Sequence, residues 1–129
     1  MKDSNILIVE DFYSVRKKLK KDLRSLGFTG EIIEASNGQK AIEILSSKQK
    51  NFFKLIITDI EMPEIDGIEL IKNLSYNKKL SSLPILVVSV VNTKDRVIEA
   101  LASGARNYLL KPWDYNELMY RISKTISSK

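Results

Sequence analysis

Five short apolar runs, rich in β-branched residues, alternate along this chain with longer segments whose apolar residues recur at helical spacing. The runs cover residues 6–9, 32–35, 53–58, 84–88 and 108–110. Each is largely apolar at successive positions rather than at every second one, which is the pattern of strands buried on both faces. Between them, Val15, Leu19, Leu23 and Leu26 mark one helix face, with Gly27 as the stop. Ala41, Ile44 and Leu45 mark the inner side of a second helix, capped by Ser36 or Asn37. A turn with Pro63 and Gly67 leads to a third carrying Ile68, Ile71 and Leu74. A fourth starts at Asn92 or Thr93, carries Val97 and Leu101, and ends near Gly104. The fifth opens on a capping-box-like pair, Asp114 and Glu117, and places Tyr115, Leu118, Met119, Ile122 and Ile126 on one face. Strict alternation of buried strands and crossover helices specifies an α/β fold, a doubly wound five-stranded parallel sheet in (βα)5 order. One domain is expected to fill residues 1–129.

Composition narrows the chemistry. The chain has no cysteine, so disulfides, thiolate metal sites and cysteine nucleophiles are excluded. It also has no histidine, which removes the commonest general base and transition-metal ligand together. Chemistry must therefore run on carboxylates, hydroxyls, lysine and a hard, oxygen-preferring metal. No apolar run approaches bilayer length, and the one near the N-terminus is too brief for a signal peptide, so a cytoplasmic location is the default. The net charge of +5 is concentrated at Arg16, Lys17, Lys18, Lys20, Lys21 and Arg24. At helical spacing this reads as a solvated helix face in preference to a nucleic-acid surface, and it offers a place for a protein partner to dock.

In an open parallel sheet, ligands bind beyond the carboxyl ends of the strands. Reading those ends in turn gives Glu10 and Asp11 after the first strand, Asp59 after the third, Ser89 at the fourth and Lys111 after the fifth. Three carboxylates on one rim repel one another, and Lys111 offsets a single charge. The remaining charge of about −2 calls for a divalent cation, and an all-oxygen site with few protein ligands suits Mg²⁺ and a phosphate.

The Glu10-Asp11 pair, the segment from Asp59 through Glu61, Met62, Pro63 and Asp66 to Gly67, Ser89, and the Lys111-Pro112 pair together resemble the receiver domains of two-component response regulators, the CheY-like group. The resemblance spans essentially the whole chain and implies the CheY-like variant of the flavodoxin-like fold. It implies that Asp59 is the phosphoacceptor, taking a phosphoryl group from a histidine kinase, a phosphotransfer protein or a small phosphodonor. Asp11, Asp59 and the backbone carbonyl of Glu61 would hold Mg²⁺, with Glu10 acting largely through water. Lys111 would pair with the phosphoryl oxygens, Ser89 would bond the new phosphate, and Tyr108 would be the switch aromatic. The Lys111–Pro112 peptide would be cis.

The same resemblance makes the chain a signalling domain rather than an enzyme, with self-catalysed phosphorylation and dephosphorylation as its only chemistry. A downstream target protein would read the altered surface, in chemotaxis or a phosphorelay. A stand-alone regulator is expected, the alternative being a receiver belonging to a longer multidomain protein. Val90 is bulkier than the alanine frequent in relatives, and apolar Val91 occupies a position that tunes dephosphorylation there. Two other classes fit less well. An aspartyl-nucleophile phosphohydrolase would use Asp59-x-Glu61, but Met62 and Pro63 follow instead of the expected surroundings. A flavodoxin-like electron carrier needs a phosphate-cradling loop after the first strand, where Glu10 and Asp11 would repel phosphate.

Overall fold

The computed structural model describes residues 1–127; the last two positions of the expected domain lie outside them. Its elements are β1 (Asn5–Val9), α1 (Tyr13–Ser25), β2 (Ile32–Ala35), α2 (Gly38–Ser47), β3 (Phe53–Thr58), α3 (Gly67–Ser75), β4 (Ile85–Ser89), α4 (Lys94–Ser103), β5 (Asn107–Leu110) and α5 (Tyr115–Ser127). The strands form one parallel sheet in the order β2-β1-β3-β4-β5. This is the expected CheY-like arrangement. The chain leaves β1 toward one edge, then returns past it to β3, so the strand order reverses at β1 and β3.

The period-two geometry of a strand splits the apolar runs between two cores. Leu7, Val9, Ile56, Ile85 and Val87 face one side, where they meet Ala41 and Leu45 of α2, Ile71 and Leu74 of α3, and Ala100 of α4. Ile6, Ile8, Leu55, Ile57, Leu86 and Val88 face the other, against Leu19 and Leu23 of α1 and Leu118 and Ile122 of α5. Both faces of the inner strands β1, β3 and β4 are covered, which is why those runs read as continuous rather than alternating, whereas Leu110 at the end of β5 is exposed.

Helix ends follow local chemistry. Asn37 rather than Ser36 caps α2, accepting from the Lys40 N–H at 2.8 Å. Thr93 precedes α4 without a side-chain capping bond. Asp114 accepts from the N–H groups of Asn116 (2.8 Å) and Glu117 (3.2 Å), while the Glu117 carboxylate turns to Arg121, 3.8 Å away. Gly104, at φ 136°, ends α4 in a conformation other residues rarely adopt.

Three expectations need correction. Pro84 lies just before β4, with its carbonyl accepting from the Ile56 N–H at 2.9 Å. Leu101 is exposed, because α4 turns Ala100 to the sheet instead. Tyr115, the first residue of α5, is also exposed, ahead of the buried stripe that begins at Leu118. No helix among the described residues is long and apolar enough to cross a membrane.

Leu86, the second residue of β4, is fully buried in the core under α1 and α5. Leu86→Ala is expected to cost about 2–5 kcal/mol of stability, through lost transfer energy plus the cavity left behind. Urea unfolding followed by circular dichroism measures it.

Candidate functional site

The first residues past three strands remain in the sheet's hydrogen-bond ladder. The Glu10 N–H donates to the Ala35 carbonyl (3.0 Å), the Asp59 N–H to Val9 (3.0 Å), and the Lys111 N–H to Ser89 (2.9 Å). The sheet thus fixes the backbone at the point where each functional side chain departs, and those side chains converge on one rim.

Lys111 is the centre of the cluster. Its ammonium lies 2.5 Å from Glu10 Oε1 and 2.8 Å from Asp59 Oδ2. Glu10 is 2% exposed and Asp59 5% exposed, so both carboxylates are removed from bulk water. The other Asp59 oxygen accepts from the Ile60 N–H at 2.6 Å, and Glu10 Oε2 from the Phe12 N–H at 3.0 Å. Glu10, Asp11 and Asp59 each offer an oxygen within 4.8 Å of the others. One oxygen of Asp11 is buried with no hydrogen-bond partner.

The two carboxylates on Lys111 titrate in opposite directions. Burial pushes Glu10 up to about 7, and the bonds from Lys111 and the Phe12 N–H only partly counter it. Burial acts the same way on Asp59, but Lys111, with help from the Ser89 hydroxyl and the Ile60 N–H, outweighs it and holds that carboxyl below its ordinary value. Lys111 itself is raised: burial disfavours its charge, and the two carboxylates more than restore it. Asp59 is therefore ionised at neutral pH, while burial holds Glu10 toward its neutral form.

The donor set fits Mg²⁺. It is all oxygen, it carries more negative charge than Lys111 neutralises, and the unpartnered Asp11 oxygen is what a cation would satisfy. Glu61 lines the same open depression as Asp11, together with Phe12, Met62, Pro63, Asp66 and Arg96. Ser89 is fully buried, with its Oγ accepting from the Val91 N–H at 3.2 Å. The Tyr108 ring is turned inward, and its hydroxyl donates to the Val91 carbonyl at 2.6 Å. The Lys111–Pro112 bond is cis, as expected.

Gly67 explains the end of the motif around Asp59. Its N–H donates to the Ile60 carbonyl at 2.7 Å, and a Cβ there would lie 2.0 Å from the Asp59 carbonyl oxygen. Only a residue without a side chain lets α3 start against the backbone of the site.

A family described as the response regulator receiver domain matches residues 6–123. The chain belongs to the response regulator receiver domain family. Among curated relatives, chemotaxis protein CheY of Pseudomonas aeruginosa is 37% identical, the match covering 92% of this chain and 93% of that protein. Chemotaxis protein CheY-3 of Vibrio cholerae is 35% identical over 95% of this chain and 92% of its own length. Among solved structures, CheY4 of Vibrio cholerae superposes with a TM-score of 0.84 at 25% identity, covering 95% of this chain and 98% of that one. The signal receiver domain of a signal transduction histidine kinase from Syntrophus aciditrophicus gives 0.83 at 29% identity, covering 96% and 90%. Receiver domains are signalling domains that bind Mg²⁺ at an acidic pocket, and this receiver brings Glu10, Asp11 and Asp59 together in one.

Two further groups shape this receiver's site. Arg16 was legible only as one of the basic cluster. It donates to the Glu10 carbonyl (2.7 Å), more weakly to that of Asp11 (3.4 Å), and pairs with Glu34 at 3.1 Å, so it braces the loop after β1. Arg96 pairs with Glu99 at 2.7 Å and Asp66 at 3.4 Å on the far side of the depression. The basic helix is accordingly only part free surface: Lys18 pairs with Asp22 and Arg24 donates to the Phe28 and Gly30 carbonyls, while Lys17 and Lys21 stand exposed.

Gly67→Ala is expected to force the backbone at Asp59 and Ile60 to move, costing about 1–3 kcal/mol and weakening Mg²⁺ binding together. Paired urea unfolding and Mg²⁺ titration check this; wild-type values in both would show that the loop tolerates a side chain there.

Proposed function

We propose that this receiver is a phosphorylation-dependent switch whose Asp59 accepts a phosphoryl group from a histidine kinase or a histidine phosphotransfer protein. The observation that carries the proposal is Lys111 seated between Glu10 and Asp59, with the unpartnered Asp11 oxygen beside them. Asp59 is ionised and needs no general base, which suits a chain without histidine. Its carboxylate oxygen attacks phosphorus, the phosphorus–nitrogen bond of the donor breaks, and an aspartyl phosphate forms. Transfer of this kind has a loose transition state, so positioning and charge neutralisation supply most of the catalysis.

Asp11, Asp59 and the Glu61 backbone carbonyl would hold Mg²⁺, with Glu10 reaching it through water. The bound cation supplies positive charge against the phosphoryl oxygens. Lys111 would leave Glu10 and Asp59 for those oxygens, and Ser89 would donate its hydroxyl to them. Movement of Ser89 would break the bond it accepts from the Val91 N–H, and the Val91 carbonyl is where the Tyr108 hydroxyl is held. Residues 89–91 therefore link the phosphoryl site to the Tyr108 ring and to the surface around α4 and β5. A target protein reads that surface. A chemotaxis or phosphorelay setting suits the relatives, and the cytoplasm suits both.

Intact mass after incubation with acetyl phosphate tests the chemistry. One added phosphoryl group, dependent on Mg²⁺ and absent in Asp59→Asn, is expected; labelling of the Asn variant would move the acceptor elsewhere. A second prediction concerns lifetime. Half-buried Val91 packs against the core on the α4 side and offers no polar group to order an attacking water. Val91→Glu should speed loss of the phosphoryl group severalfold, read as decay of the labelled mass, and an unchanged rate would remove Val91 from that role.

A further inference from the structure

Asp22 stands where α1 alone would not favour it. It lies in the last turn, on the face that also buries Leu19 and Leu23. An acidic residue there meets the negative end of the helix dipole. Lysine preceding the acid is the weaker order for an i,i+4 pair, and aspartate is a poor helix-interior residue. Burying its charge beside leucines is costly unless donors reach it. Two do, both at Oδ2: the Trp113 indole N–H at 2.8 Å and the Lys18 ammonium at 3.0 Å. The same ammonium sits 5.0 Å from the centre of the Trp113 ring.

The partner of Asp22 lies 91 positions away, in the loop between β5 and α5. That loop begins with Lys111. Its start is tied to Ser89 through the sheet, and its end is tied by Asp114 capping α5. Trp113 anchors its middle to α1. Lys111, Pro112 and Trp113 line a largely apolar groove together with Ser14, Val15 and Lys18 of α1 and Val90. If Trp113 moved, the wall of this groove would open two residues from Lys111.

We propose that Asp22 is a positioning residue: through Trp113 it clamps the loop after β5 against α1, and so holds Lys111 on Glu10 and Asp59. The inference rests on the phosphoacceptor reading given above. It carries a signature that ordinary destabilisation lacks. A loosened Lys111 serves the incoming phosphoryl oxygens less well, so transfer slows. It also competes less for the carboxylates, so Mg²⁺ binds more tightly. General loss of structure would weaken both.

The test uses Asp22→Leu, which places a helix-favouring apolar residue on the buried face, and Trp113→Phe, which keeps a ring without the N–H. Asp22→Asn retains an acceptor for the indole and serves as the rescue. Labelling rates with acetyl phosphate are read by intact mass at saturating Mg²⁺. Mg²⁺ affinity is read from amide NMR shifts at Asp11 and Asp59. Asp22→Leu and Trp113→Phe should label about tenfold more slowly and bind Mg²⁺ about threefold more tightly, while Asp22→Asn recovers most of the rate. Unchanged rate and affinity, or a joint weakening of both, overturns the clamp. The Mg²⁺ titration needs no phosphodonor and decides the clamp by itself. Failure of the wild type to label would instead sink the assignment of Asp59.

Discussion

Lys111 holds together a group of charges that would otherwise drive the rim of the sheet apart. Glu10 and Asp59 are both buried, and Asp11 lies within reach of each. At such separations, away from bulk water, like charges repel strongly, and a buried carboxylate without a partner is expensive. One ammonium cannot neutralise three acids. The structure resolves this by letting the acids differ: Asp59 is held ionised, Glu10 is pushed up toward neutrality by its burial, and Asp11 keeps one oxygen unpartnered. The site is therefore assembled short of positive charge, and that deficit suits a divalent cation.

Everything around the rim serves to fix where those charges leave the backbone. The sheet ladder continues one residue past β1, β3 and β5, so Glu10, Asp59 and Lys111 start from rigid points. Gly67 lets α3 begin in contact with the Asp59 carbonyl, and Arg16 braces the loop after β1 from the helix that follows. The two apolar cores hold the sheet between helix layers, with α1 and α5 on one side and α2, α3 and α4 on the other.

Most of this was legible in the chain, for physical reasons that can be named. Continuous apolar runs announce strands covered on both faces, and their alternation with helical stripes leaves little choice of topology. Once the strands are parallel, their carboxyl ends must share an edge, so the order of the chain alone brings Glu10, Asp11, Asp59, Ser89 and Lys111 to one rim. What escaped was decided by long-range packing. Leu101 and Tyr115 fit their helix stripes by spacing, yet the rotation of each helix turned them outward. Arg16 looked like one more surface cation, because its acceptors are main-chain carbonyls and a strand glutamate that no local pattern reveals. The pairing of Asp22 with Trp113 crosses most of the chain, and nothing near either residue signals the other.

The bond between Lys111 and Glu10 joins residues 101 positions apart, from the residue after β1 to the loop after β5. A chain emerging from the ribosome presents Glu10, Asp11 and Asp59 long before it presents Lys111. Until β5 docks at the sheet edge, the acids have no internal counter-ion and β1 and β3 must pair against their repulsion. Completion of the rim thus comes late in synthesis, after the four strands and four helices that precede β5. A product that stops before β5 lacks the lysine altogether and leaves Glu10 and Asp59 without that partner.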